Sequence, residues 1–126
     1  MELKSYFENT KGTGVLATSD NEGNVDAAVY ARPHFMEDGT VALIMRDRLS
    51  HANLQSNPRA TYLFTEEDKR SKGARLFMTK VREEKDSRLL YELRQRTYPD
   101  DGPDKNDPRF LVFFNIDKKL PLMGDG

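Results

Sequence analysis

A short basic segment of the chain has the residue types that bind a phosphate group. It runs from Met45 to Pro58 and reads MRDRLSHANLQSNP, so Arg46 and Arg48 come just before Ser50. The spacing predicts that a strand ends near the arginines and that a helix begins at Ser50, with Ser50 as its N-cap. Helix N-termini present free N–H groups and a partial positive charge, and guanidinium groups suit phosphate oxygens. The segment therefore predicts an anion site, although an ordinary N-cap serine beside solvated arginines would have the same sequence.

A second candidate for chemistry is Arg32, which lies in a segment otherwise rich in alanine and valine. Tyr30 stands two positions before it. The small side chains of Ala27, Ala28 and Ala31 leave room for a flat ligand to lie against a strand and hydrogen-bond with its backbone. The alternatives are that Arg32 pairs with an acid at the surface and that the alanines only pack inside a barrel. If Arg32 faces a pocket and the alanines leave room for a ligand, the segment forms one wall of that pocket. On the alternative interpretations it does not.

Other common kinds of catalytic and metal site are missing from the sequence. The chain has no cysteine and only two histidines, His34 and His51. We therefore expect no metal site, and we expect both histidines at the surface. No G-x-S-x-G elbow, P-loop or G-x-G-x-x-G motif is present. If the protein is an enzyme, a bound cofactor is expected to supply its chemistry.

The composition limits the class of protein. Its 126 residues fit a single domain, 1–126. Twenty basic against 21 acidic residues give a net charge of −1, which argues against a general nucleic-acid binder. No apolar run approaches the roughly 20 residues of a membrane span. We expect a cytoplasmic protein with neither nucleic acid nor a membrane as its partner.

The elements that must position these residues are mostly strands. Alternating apolar residues predict six of them, at 14–18, 25–35, 41–46, 60–65, 74–83 and 110–116. Helical spacing predicts three short helices, at 2–11, 50–57 and 86–98. The predicted fold class is mainly β, a six-stranded antiparallel barrel with peripheral helices. The strands at 60–65 and 110–116 are apolar on both faces, which favours cover by a second subunit or by a helix.

The order of these segments resembles a known family. An N-terminal helix is followed by GVLATSDNEGNVDAAVYARPHF, by EDGTVALIMRDRLSHANLQSNPRATYLF, and then by a long strand and a helix. This order resembles the pyridoxamine 5'-phosphate oxidase-like, FMN-binding split-barrel family over roughly residues 3–118. The resemblance implies a split β-barrel, a homodimer with two FMN sites at the subunit interface, and an oxidoreductase with a small-molecule substrate or electron donor.

The resemblance also implies roles for particular residues, with FMN as the cofactor. The ring-side candidates are Tyr30, Ala31 and Arg32; the phosphate-side candidates are Ile44, Met45, Arg46, Arg48, Leu49 and Ser50; Asn53 lies on the helix that follows.

The sequence departs from the family pattern in two places. The family's phosphate loop often reads Ser-Arg-Lys, whereas this chain has Arg48, Leu49 and Ser50 there. It also has no tryptophan and lacks the longer C-terminal segment that shapes the substrate site of true oxidases. Vitamin B6 oxidase activity is therefore not implied. Three hypotheses stay open: an FMN-dependent oxidoreductase, a non-catalytic FMN-binding electron carrier, and a split barrel that holds haem or a deazaflavin.

Overall fold

The computed structural model describes residues 2–69 and 71–124, and this part of the chain forms one antiparallel sheet and three helices. The helices are α1 (Leu3–Asn9), α2 (Leu49–Ser56) and α3 (Arg88–Gln95). The strands are β1 (Gly12–Ser19), β2 (Val25–Tyr30), β3 (His34–Phe35), β4 (Val41–Arg46), β5 (Arg59–Glu66), β6 (Gly73–Lys85) and β7 (Arg109–Pro121). None of the helices in the described ranges is long and apolar enough to cross a lipid bilayer.

The strand order shows that the sheet must curl. It runs β2-β1-β5-β6-β7-β4-β3, so β2 and β3 are the two edge strands. In a flat sheet these edges would lie about 29 Å apart, at about 4.8 Å for each of six strand spacings. Yet β2 ends at Tyr30 and β3 begins at His34, and four residues span at most about 14 Å. The short connection therefore holds the two edges close, and the sheet forms a half-barrel.

Two strand predictions differ from the structure. The single strand predicted at 25–35 is divided into β2 and β3, because Pro33 has no N–H group with which to continue a ladder. The strand predicted to end at residue 116 continues to Pro121, because β6 is long enough to pair with it: Arg75 lies opposite Leu120. The structure thus has seven strands instead of six, and the predicted tail is partly strand.

The chain has two hydrophobic clusters, one on each side of β4 and β7. The larger lies inside the half-barrel and contains Tyr62, Phe64 and Phe114, each fully buried. The smaller lies between α3 and the outer face of the sheet, where Leu90 packs against Phe113 and its neighbours. The helix α3 therefore covers the second apolar face of residues 110–114, so that face does not by itself require a second subunit.

The side chain of Tyr62 packs closely against Gly14 and holds the connection between the edge strands β2 and β3 in place. The hydroxyl of Tyr62 passes this residue and donates a hydrogen bond to the carbonyl oxygen of Ala31 at 3.1 Å. A Cβ atom at position 14 would overlap that hydroxyl. Burial raises the pKa of Tyr62 to about 12, against a smaller opposing effect of Arg32. Tyr62 therefore remains a neutral donor, and it holds the backbone of the ring-side candidates in place.

Candidate functional site

The N-terminus of α2 presents free backbone donors. Arg48 is its N-cap, with an extended backbone (φ −133°, ψ −166°), and no side chain caps the helix. The first turn contains no acidic residue. The N–H groups of Leu49, Ser50 and His51 have no backbone partner in the described part of the chain. Arg48 itself is exposed, so the turn combines a basic residue with the positive end of a helix.

Ser50 was predicted as the N-cap, and this prediction was wrong. The helix begins one residue earlier, at Leu49, because the N–H of Arg48 bonds with the carbonyl of Arg46 at 2.9 Å and turns the chain there. Ser50 is consequently the second helical residue and is only 4% exposed.

Tyr30 and Ser50 join the end of β2 to the start of α2. Burial raises the pKa of Tyr30, and the neighbouring hydroxyl of Ser50 partly opposes this rise. The phenol is therefore protonated at neutral pH. One ring-side candidate and one phosphate-side candidate are thus brought together, and Arg48 and Leu49 immediately precede Ser50 in the chain. We call Tyr30, Arg48, Leu49 and Ser50 the α2 site.

Arg32 is attached to α1 rather than to an acid. Its Nη1 donates to the carbonyl oxygens of Phe7 at 2.7 Å and Thr10 at 3.0 Å, at the C-terminal end of that helix. Its Nε and Nη2 donate no hydrogen bond to the described residues, and the side chain is largely exposed. Arg32, which follows the exposed Ala31, therefore retains two nitrogen atoms that can donate hydrogen bonds to a ligand.

Three phosphate-side candidates lie apart from the α2 site. The guanidinium of Arg46 is held by the carboxylate of Asp107 through two bonds, Nε–Oδ1 at 3.1 Å and Nη2–Oδ2 at 2.7 Å. The side chain of Met45 is 1% exposed in the main core. Ile44 packs against the cluster under α3. Of these three, only Arg46 has a polar side chain, and it is already paired.

Asn53 is a structural contact of α2. It is buried, and its Nδ2 donates to Oγ1 of Thr18 at 3.0 Å. The bond attaches the middle of α2 to β1. The side chain of Asn53 is thereby occupied within the protein.

A buried polar cluster lies on another side of α2, and no local pattern in the sequence indicates it. His51 was expected at the surface, and this was wrong: it is 7% exposed and stacks on Phe110 with ring centroids 3.7 Å apart. Its Nε2 lies 2.9 Å from Oε2 of Glu83. Lys80 and Gln55 donate to the other oxygen of the same carboxylate, at 2.6 and 3.0 Å.

These hydrogen bonds change the acidity of Glu83. Burial alone would raise the pKa of its carboxyl group, but the donors on Lys80, Gln55 and His51 outweigh burial and hold the pKa at about 2. No spacing in the sequence could have revealed this contact, because Glu83 is 32 residues from His51. Asp47 also approaches His51, at 3.6 Å from Nδ1.

Metal binding has no support in the described residues. Between residues 2–69 and 71–124, no three histidine, aspartate or glutamate side chains are grouped as they would be around an ion. The polar groups of the α2 site are N–H, hydroxyl and guanidinium donors. Such donors suit an anion.

The comparisons with known proteins show the fold. No model of a protein family matches the chain, and no curated protein matches it. Among solved structures, an FMN-binding protein from Syntrophomonas wolfei is similar, with a TM-score of 0.69 and 24% identity over 95% of this chain and 83% of that one. A candidate pyridoxamine 5'-phosphate oxidase from Listeria innocua has a TM-score of 0.68 and 16% identity, over 95% and 94%.

A third similar structure is described as an F420 reductase, with a TM-score of 0.65 and 16% identity over 94% of this chain and 97% of that one. At these identities the likeness concerns the fold alone. The chain has the mainly β split-barrel fold of these proteins, which confirms the predicted fold class.

Proposed function

We propose that this protein binds FMN at the α2 site and acts as an oxidoreductase on a small molecule. The observation that carries the proposal is the uncapped N-terminus of α2, where free N–H groups and Arg48 adjoin Ser50 and Tyr30. The shared fold supports it, since one similar protein is described as FMN-binding. Fold alone does not determine function, so the residues of the site must carry the argument.

The donors of this turn fit a phosphate monoester. The N–H groups of Leu49 and Ser50 would donate to its oxygens, and the guanidinium of Arg48 would neutralise its charge. The carboxylate of Asp47 is the unfavourable charge at this turn, and it lies 3.6 Å from Nδ1 of His51.

The connection between β2 and β3 would contact the flavin ring. Ala31 is small and exposed, so a flat ring can approach the backbone there. The remaining donors of Arg32 would hydrogen-bond with ring oxygens and stabilise negative charge on them. FMN, when bound, would supply the transfer of electrons between donor and acceptor.

Two other functions use the same geometry. A non-catalytic electron carrier would need the same phosphate contacts but no cavity beside the ring. A deazaflavin would also place a phosphate near a cationic turn, and one similar structure is an F420 reductase. A split barrel that holds haem instead would give a Soret band and no flavin absorbance. The absorbance spectrum of the purified protein, followed by assay of NADH or NADPH oxidation, separates these functions.

Substitution of Arg48 tests the phosphate contact directly. Arg48→Ala should weaken FMN binding about tenfold or more, because a charge-assisted hydrogen bond is lost, and should leave the melting temperature nearly unchanged, because the side chain is exposed. Ser50→Ala should also weaken FMN binding more than it weakens folding. Binding is measured by quenching of flavin fluorescence.

Arg88→Ala is the matched control. Arg88 is 93% exposed, and its one ion pair with the described residues is with Glu92 of its own helix, so its loss should leave the affinity for FMN unchanged. Equal affinities in Arg48→Ala, Ser50→Ala and the wild type would refute this placement of the phosphate.

A further inference from the structure

A groove of about 740 Å³ lies between α1, the connection from β2 to β4, and the C-terminal end of α3. Its volume is within the range of pockets that hold small organic ligands. One end reaches residues 30–32, which we propose beside the flavin ring. The groove is also lined by residues for which the proposed function has no use: Lys4, His34, Leu93, Arg96 and Tyr98.

The floor of the groove is apolar. Phe7 and Leu43 are each 2% exposed, and Leu93 is 5% exposed. Phe35 and Met36 are half-buried along the same surface. A ligand with an apolar body would therefore cover the carbon surface that Phe35 and Met36, unlike the buried residues of the groove, still expose to water.

The rim of the groove carries more positive than negative charge. Four basic residues line it against only two acidic ones, although the chain as a whole has a net charge of −1. Arg94 is paired with Asp101 at 2.5 Å, whereas Lys4 and Arg96 form no salt bridge among the described residues. The unpaired cations of the rim are complementary to an anion.

The imidazole of His34 adds a possible hydrogen-bond donor to this rim. Its side chain is half-buried and makes no hydrogen bond within the described part of the chain. Burial lowers the pKa of His34, and the positive charge of Arg96 lowers it further. The positive charge of Arg96 therefore acts on His34 inside the groove. An anion bound there would raise the pKa of the imidazole.

We infer that this groove binds a small organic anion with an apolar, ring-sized body. The anionic group lies between His34 and Arg96, and the body covers the half-buried side chains of Phe35 and Met36. Carboxylates and phosphate monoesters share this chemistry. The inference deepens the proposed function by naming the substrate class, and it rests on that function only for the statement that the anion is the molecule oxidised or reduced.

The test uses three probes with the same ring system: 2-naphthoate, 2-naphthyl phosphate and the neutral 2-naphthalenemethanol. The chain has only two histidines, so the imidazole signals of His34 and His51 are easily followed by NMR, with His34→Gln to assign them. We expect saturable binding of an anionic probe and a rise in the pKa of His34. The neutral alcohol should bind about tenfold more weakly or not at all. The stronger of the two anionic probes distinguishes a carboxylate from a phosphate ligand.

Arg96→Gln and Arg88→Gln form a matched pair, since both remove one charge from α3 or its C-cap. Arg96→Gln should weaken binding of the anion about threefold to tenfold and should raise the pKa of His34 in the free protein. Arg88→Gln should do neither. Equal effects of the two substitutions, or equal binding of the neutral alcohol, would overturn the inference.

The same protein samples are titrated with FMN. If FMN binds but neither anion does, the groove inference fails and the proposed function stands. If an anion binds at His34 but FMN does not, the groove inference stands and the proposed function fails.

Discussion

Arg46 and Arg48 are two positions apart, yet the structure gives them different surroundings. Arg46 is the last residue of β4 and is paired through two hydrogen bonds with Asp107. Arg48, in contrast, occupies the N-cap position of α2 and is exposed. The sequence suggested both as phosphate ligands because nothing in the spacing reveals a partner 61 residues away. The difference follows from the loop before β7, which brings Asp107 to Arg46 but not to Arg48.

Substitution of Arg46 should therefore differ in effect from substitution of Arg48. We expect Arg46→Ala to change the affinity for FMN by less than about twofold, because an exposed ion pair contributes little and the guanidinium is already occupied. The melting temperature should fall slightly through loss of the pair with Asp107. A loss of FMN affinity as large as in Arg48→Ala, measured by the same titration, would show that Arg46 leaves Asp107 to bind the phosphate.

Helix α2 is attached to the sheet by polar contacts on two sides. Asn53 bonds with Thr18 of β1, while His51 and Gln55 contact Glu83 of β6. Such contacts are directional, so they fix the rotation of the helix as well as its position. The orientation of the first turn, and hence of the donors in the α2 site, depends on them.

The carboxylate of Glu83 should make stability depend on pH in the acidic range. Its pKa is about 2 in the folded protein, below the ordinary value of 4.5. The stabilisation is therefore complete above about pH 4.5 and is lost as the pH falls toward 2. Glu83→Gln should lower the free energy of unfolding by about 1–2 kcal/mol at pH 7, and the deficit should shrink below pH 4.5. Urea denaturation at several pH values measures it.

Glu92→Gln provides the control for this experiment. Glu92 is an exposed residue of α3 whose sole ion pair within residues 2–69 and 71–124 is with Arg88, so its substitution should leave stability nearly unchanged. A deficit in Glu83→Gln that is constant from pH 7 to pH 3 would show that the ionised carboxylate is not its cause.

Local patterns in the sequence predicted the helices and strands well, but they predicted poorly which residues contact one another in the folded chain. Period-two spacing located the strands, and Pro33 is the local signal that could have divided the segment 25–35. The start of α2 was missed by one residue because Ser50 is a better N-cap by type than Arg48. The burial of His51 depends on Phe110 and Glu83, which are close to it only in the folded sheet. Pairing across the sheet, unlike local spacing, cannot be deduced from one sequence.

The outer face of β2 remains apolar and uncovered in the single chain. Val25 is 75% exposed and Val29 is 76% exposed, on an edge strand beside Ala27 and Ala31. A second groove, of about 500 Å³, begins at Val25 and continues to Phe77. We propose that a second copy of the chain covers this face, as the resemblance to a dimeric family implies. The dimer would then adjoin the ring-side residues at the end of β2.

Light scattering tests the dimer. The wild type should give twice the chain mass of 14.5 kDa. Val25→Lys with Val29→Lys should give a monomer, because two charges would be buried without partners. Val81→Lys is the control, since Val81 is an exposed valine of β6. A wild type that remains a monomer at high concentration would refute the proposal.

The place of β7 in the sheet has a consequence for synthesis of the protein. The last strand of the described residues, β7, pairs with β6 on one side and with β4 on the other. Until the ribosome has added it, both neighbours have unpaired backbone groups and the two parts of the sheet are not joined. A nascent chain stalled near residue 108 would therefore expose the backbone edges of β4 and β6, and such unpaired edges are prone to aggregate.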